Sequence, residues 1–213
     1  PIPGEVLPQN IGTMKWDGKI PFKHTEKLSI KRSDDFDEDC LAPQWQWNYQ
    51  PRKDYFSLTE RPGWLRLKAY RPLETNNLLK AGNTLTQRTF RKQNNDVTIK
   101  MDISNMQDGQ KNGLCHFSSQ HSAIGIVKEE DACYLEYRKN GNITKGIQIH
   151  SEFIWFRTEW GMDGKSQYYY SLDGDNFLPF GEKYQLTWGN YRGDRIGIYC
   201  FNDKKETGSV DVD

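Results

Sequence analysis

The chain of 213 residues has no run of about 18 apolar residues and no apolar stretch of the secretory type at its start, so the sequence predicts neither a membrane-spanning helix nor a signal peptide. Net charge is missing too. Lys plus Arg and Asp plus Glu stand at 29 each, and no overall field draws the chain toward nucleic acid or an anionic membrane. Cysteine is scarce: Cys40, Cys115, Cys133 and Cys200 are too far apart for a short zinc-ligand pattern. No stretch keeps a 3.6-residue apolar period, so helices are not expected. Nucleophile elbow, P-loop, dinucleotide fingerprint and zinc-protease motif are all lacking, which removes the common enzyme classes that announce themselves by motif. The first residue is Pro1; the chain reads as a processed product or an excised piece. Its native compartment stays open, with secretion or the periplasm favoured.

What the chain has is aromatic mass and alternation. Hydrophobic residues make up only 35% but aromatics 13%, with 7 Trp, 11 Tyr and 10 Phe, so a core must lean on large rings. Arg61-Pro62-Gly63 is a turn signal. Trp64–Tyr70 then alternates apolar and basic residues, as a half-buried strand does. Thr84–Phe90 alternates again, with Leu85 set against Thr84, Thr86 and Arg88. Further strands are predicted over Val97–Ile103, Gly113–Phe117, Ala123–Lys128, Ala132–Arg138, Thr144–His150, Phe153–Trp160 and Gln167–Leu172. The last clear one is Arg195–Phe201. About a dozen short strands with glycine-rich turns point to an all-β fold, an antiparallel two-sheet β-sandwich. Residues 1–32, punctuated by Pro and Gly, read as a linker or strap, and 33–213 as the sandwich domain. On the predicted strands Cys115 shares a face with Phe117, and Cys133 one with Leu135 and Tyr137, which fits buried thiols, a disulfide being the alternative.

Candidate sites are few. Ser33–Cys40, SDDFDEDC, is dense in carboxylate, so Asp35 and Asp37, completed by Asp213 if the termini pair, could hold calcium through oxygen; a solvated acidic turn is the alternative. Trp45 and Trp47, two apart on one strand, either form a sugar-stacking platform or belong to the core. Of the histidines 24, 116, 121 and 150, His116 and His121 bracket one hairpin and could converge. Glycoside hydrolysis needs two carboxylates astride a bond. Glu136, Glu152, Glu159 and Asp163 could supply them, or could simply be the wet face of a sheet.

FDEDCLAPQWQWNY, LTERPGWLRLKA, LLKAGNTLTQRTF, YYSLDGDNFLPFGEKY, GDRIGIYCFN and VDVD, in this order over residues 33–213, resemble successive signatures of one domain. It is the C-terminal β-sandwich of glycoside hydrolase family 43, the β-xylosidase and α-L-arabinofuranosidase family. Gly4-Glu5-Val6 likewise resembles the tail leaving the preceding domain. The resemblance implies a concanavalin A-like jelly roll packed on an N-terminal five-bladed β-propeller of the same polypeptide that carries the catalytic carboxylates. This chain alone would then be inactive, with no catalytic residue and no cofactor beyond a structural calcium. It also implies a loop whose aromatic side chain reaches over the propeller pocket: Tyr184, Trp188 and Tyr191, within Phe180–Tyr191, match by position. The alternative is a free-standing carbohydrate-binding module taking xylan or xylo-oligosaccharide. Relatives continue a strand with aromatic residues where this chain stops at Asp213, and an unfilled last strand would leave a sheet edge.

Overall fold

In the computed structural model, residues 18, 33–89, 93–187 and 193–213 are described, and Asp34–Asp213 form one compact unit. Fifteen strands build it: β1 (Gln46–Trp47), β2 (Phe56–Ser57), β3 (Leu65–Lys68), β4 (Thr84–Arg88), β5 (Asn95–Asp102), β6 (Gln110–Phe117), β7 (His121–Glu129), β8 (Ala132–Lys139), β9 (Asn142–Ile149), β10 (Phe153–Trp160), β11 (Lys165–Ser171), β12 (Leu178–Pro179), β13 (Tyr184–Gln185), β14 (Arg195–Asn202) and β15 (Ser209–Val212). The first sheet runs β1-β4-β14-β6-β7-β8-β9. The second runs β12-β11-β10-β5-β15-β3-β2, with β13 added on β11. Every pairing is antiparallel. The fold is the concanavalin A-like sandwich expected.

The alternation read from the sequence is what closes the two sheets on each other. Leu65 and Leu67 of β3, Leu85 of β4, Ile99 and Met101 of β5, Ile154 and Phe156 of β10, and Ile196 and Ile198 of β14 all point into one core. Removing any of these large side chains would cost about 2–5 kcal/mol through lost transfer energy and the cavity left behind. A smaller cluster lies apart from that core: Leu78 and Ala81 pack with Cys115, Phe117, Ala123, Tyr199 and Phe201, residues that alternate with the core positions of β6, β7 and β14. Cys115 and Cys200 are buried thiols, Cys133 is half-buried and Cys40 exposed; all four are free.

Three sequence readings are corrected. Asp211 and its neighbours form a strand that the alternation did not reveal. β15 lies between β3 and β5 in the middle of the second sheet, in register with β5 at Asp211 and Val212. Asp211, a charged residue at a buried position, masks the pattern of one apolar and one wet face. Trp45 and Trp47 do not share a long strand, because only Gln46–Trp47 pairs with β4 and Trp45 closes the turn before it. His116 and His121 do not converge: Phe117 pairs with His121 and His116 with Ser122, so the two imidazoles fall on opposite faces of the hairpin.

The turn at Arg61–Trp64 shows how sequence sets the second sheet. Gly63 takes φ +75, a value that L side chains adopt only with strain, and Trp64 N–H closes onto Arg61 O at 3.1 Å. That aims the Arg61 side chain across the sheet, where its Nη1 donates to Asp102 Oδ2 at 2.6 Å and Asp211 Oδ2 at 2.9 Å. Arg66 grips the same Asp211 with two parallel bonds of 2.7 and 2.8 Å. Four charges thus tie β3, β15 and β5 together.

Candidate functional site

The loop between β13 and β14 is held at both ends. Tyr184 and Gln185 pair with Ser166 and Lys165, Ser166 Oγ donates to Tyr184 O at 3.2 Å, and Leu186 N–H reaches Gly164 O at 2.8 Å. Next, the Thr187 hydroxyl meets Ser118 Oγ at 3.0 Å. On the return, Thr89 donates to Asp194 O through both its backbone N–H and its hydroxyl, at 3.3 and 3.2 Å. Residues 187 and 194 are therefore fixed points on two different elements. Met162, in the β10–β11 turn whose Gly164 O accepts from Leu186 N–H, is 65% exposed.

Beside the described ends of the loop, Leu186–Thr187 and Asp194–Arg195, sits a buried polar and aromatic cluster. Tyr184, 3% exposed, stacks on His116 with centroids 6.3 Å apart, and Trp160 meets the same imidazole edge-on at 5.5 Å. His116 Nε2 lies 2.8 Å from Thr158 Oγ1. The Tyr168 hydroxyl accepts from His116 N–H at 2.9 Å and donates to Ser122 O at 2.8 Å. Burial holds His116 down at about 3, so it stays neutral at any ordinary pH. Burial likewise raises the Tyr184 phenol, against a hydrogen bond from Thr187 that lowers it. The cluster is a rigid base for the loop's ends, and its groups are too enclosed to act as acid or base on an external substrate.

Of the residues singled out from sequence, Tyr184 is thus in the cluster beside the loop's ends, and Trp188 and Tyr191 lie outside the described residues. Trp45 and Trp47 are half-buried against the core. Trp45 stacks on Phe36 at 5.8 Å and donates its indole N–H to Asp34 Oδ2 at 2.7 Å; Trp47 packs on Phe56 at 4.8 Å. Asp35 and Asp37 are exposed, with Asp37 Oδ1 beside Gly63. Asp213 pairs its backbone with Lys100 at 2.7 and 3.0 Å. Among the described residues no group of three His, Cys, Asp or Glu is placed to hold a metal ion. Glu136 is buried against Arg138, while Glu152, Glu159 and Asp163 are exposed. A cavity of about 240 Å³ opens between Ser104, Lys128, Asp131, Cys133, Gln148 and Glu152. The His150 imidazole lines it but no Phe, Tyr or Trp does, so it lacks the broad apolar face on which sugars stack.

The anchors Ser118, Thr187, Thr89 and Asp194 were not legible in the sequence. They are small polar residues in loops that meet only once the two sheets close, and nothing local marks them. Their one sequence signal is position: Ser118 and Asp194 flank strands that alternation identifies, and Thr89 lies in the predicted Thr84–Phe90 stretch.

Residues 33–213 match the family model described as the beta xylosidase C-terminal concanavalin A-like domain. A beta-xylosidase of Formosa agariphila is 35% identical over 215 residues, covering 92% of this chain and 36% of that protein. Among solved structures, a bifunctional GH43-CE protein of Bacteroides eggerthii superposes with a TM-score of 0.76 at 28% identity, over 84% of this chain and 24% of its own. A xylan beta-1,4-xylosidase from Bacillus halodurans shares the fold, with a TM-score of 0.70 at 18% identity, over 89% of this chain and 40% of that one. The chain spans about a third of the length of the curated relatives it matches. With a match over residues 33–213, this chain belongs to the family of C-terminal concanavalin A-like domains of β-xylosidases.

Proposed function

We propose that this chain is the accessory sandwich of a glycoside hydrolase acting on β-xylosides or α-L-arabinofuranosides, and that it lends the loop at 188–192 to the pocket of a catalytic β-propeller in the same polypeptide. The observation that carries this reading is the double anchorage of that loop, at Thr187 and at Asp194. A loop whose ends are fixed loses little further entropy when its tip is clamped against a neighbour. An aromatic ring delivered this way covers the bound sugar and excludes water from the bond being cleaved. The carboxylates that protonate the leaving oxygen and attack the sugar would come from the propeller. In contrast, the ring and the indole N–H of Trp45 are occupied within the sandwich, which disfavours Trp45 and Trp47 as a free platform.

The test is kinetic, on the polypeptide that joins this domain to its catalytic domain. Trp188→Ala and Tyr191→Ala are assayed on an aryl xyloside and an aryl arabinofuranoside. At least one of them is expected to lower kcat/KM about tenfold, equivalent to about 1.4 kcal/mol of transition-state stabilisation. Trp45→Phe, at a ring that packs on Phe36, leaves kcat/KM unchanged. Wild-type kcat/KM in both loop variants overturns the pocket role.

A further inference from the structure

The outer face of the second sheet carries cations of two kinds. Arg61 and Arg66 are matched by Asp102, Asp211 and Glu60, and the Arg61 guanidinium also lies 4.0 Å from the centroid of Trp64. Lys100 and Arg157 make no ion pair among the described residues and rest on rings instead. Lys100 Nζ is 5.2 Å from the centroid of Trp64, 5.0 Å from Phe153 and 5.3 Å from Trp155. Lys100 and Trp155 are cross-strand partners on β5 and β10. Two residues further along β10, the Arg157 guanidinium lies 3.7 Å over Phe177, and its Nε donates to Thr98 Oγ1 at 2.9 Å. Register puts Arg157 opposite Thr98, beside the Lys100–Trp155 pair. All six side chains are at least partly open to solvent. The acids nearby are engaged or exposed: Glu159 hydrogen-bonds Tyr169, and Asp213 faces water next to Lys100.

Each part of this row has a chemical meaning. Indole faces stack on the C–H faces of pyranose rings. An ammonium held among rings is poorly hydrated and has donors to spare, so a carboxylate gains a charge-assisted bond there that a neutral hydroxyl cannot equal. The turn at Gly174, φ +85, packs against the Trp155 indole, and a Cβ at this position would stand 3.1 Å from its Cε2. That contact fixes the ring before any ligand arrives, which lowers the ordering cost of binding.

We propose that Trp64, Lys100, Trp155 and Arg157 form a binding site for an oligosaccharide carrying a uronic acid. The indoles stack on its rings, Lys100 takes the carboxylate and Arg157 is the second cation. The choice of a xylose backbone as probe rests on the reading given under Proposed function; the site itself does not, and the kinetic test of the loop stands or falls separately.

The experiment is calorimetric titration of this chain with xylotriose bearing one glucuronic acid branch and, in parallel, with xylotetraose. The acidic sugar is expected to bind about tenfold tighter at low salt, a preference that shrinks when NaCl rises from about 50 to about 500 mM. Lys100→Gln should erase the preference while leaving the melting temperature unchanged, and Trp155→Ala should weaken both sugars. Equal affinity for the two sugars, no heat with either, or a preference that survives Lys100→Gln overturns the proposal.

Discussion

Tyr168 is a phenol with no exposed surface whose oxygen joins the two sheets, since it sits on β11 and bonds to the backbone of β6 and β7. Removing that oxygen leaves His116 N–H and Ser122 O enclosed with one partner fewer. Tyr168→Phe is therefore expected to cost about 1–3 kcal/mol, read as a lower denaturant midpoint at unchanged slope; a wild-type midpoint would mean that water replaces the phenol. Asp211 makes a sharper case. It is 2% exposed and answers both Arg61 and Arg66, so Asp211→Ala leaves Arg61 with Asp102 and Arg66 with the more exposed Glu60. Breaking a buried pair this way costs about 3–5 kcal/mol. The arginines keep some solvent, at 31% and 23% side-chain exposure, which places the expected loss near the lower end of that range. Equilibrium unfolding of the variant measures it.

β15 shows what a strand of four residues can decide. It pairs with β3 over its whole length and with β5 at Asp211 and Val212, and Val210 and Val212 are core residues. Deleting residues 209–213 should leave a chain without the cooperative unfolding transition of the intact one, as judged by near-ultraviolet circular dichroism; a retained transition would show that β3 and β5 can close on each other directly. The same strand marks the limit of what the sequence discloses. Where one face is apolar and the other wet, as in Leu65-Arg66-Leu67-Lys68, period two gives the strand and its orientation. In Ser209–Val212 the alternation is there, but it is only two residues deep and its polar member is buried in an ion pair. Phe153–Trp160 is ambiguous in the opposite sense. Phe and Trp occur on both of its faces, so the sequence names a strand without saying which rings, Phe156 or Trp155, belong to the core. The candidate loop was placed by resemblance to a family, and its anchors came only from the closed fold.

At the scale of the whole molecule, the neutral core imposes a pH dependence. His116 and His121 are lowered to about 3 and about 4, both by burial, with the Arg138 charge adding to the effect on His121. In the unfolded chain each titrates near 6.5. Between those values the unfolded state binds more protons, so stability is complete above about pH 6.5 and falls as pH drops toward the folded values. The slope approaches about 1.4 kcal/mol per pH unit for each histidine. Asp102 adds to the loss at lower pH. Burial opposes its charge, but bonds from Ser104 and Arg61 outweigh burial and hold it below the usual carboxylate range. That contribution fades as pH falls through its folded value. Chemical unfolding at about pH 7.5, 6 and 5 should give steadily lower midpoints, and His116→Gln should flatten the profile; a level profile in the wild type contradicts the assignment.

The central place of β15 also bears on how the molecule is made. Arg66 and Asp211, which bond to each other, are 145 residues apart in sequence, and β3 and β5 have emerged from the ribosome long before the strand that belongs between them. Until residues 209–212 arrive, the second sheet exists as two halves with facing unpaired edges, and those edges are open to pairing with other nascent chains. The strand that joins the two halves is thus made after both of its neighbours, and a polypeptide cut short before Ser209 is left unfinished at the centre of that sheet.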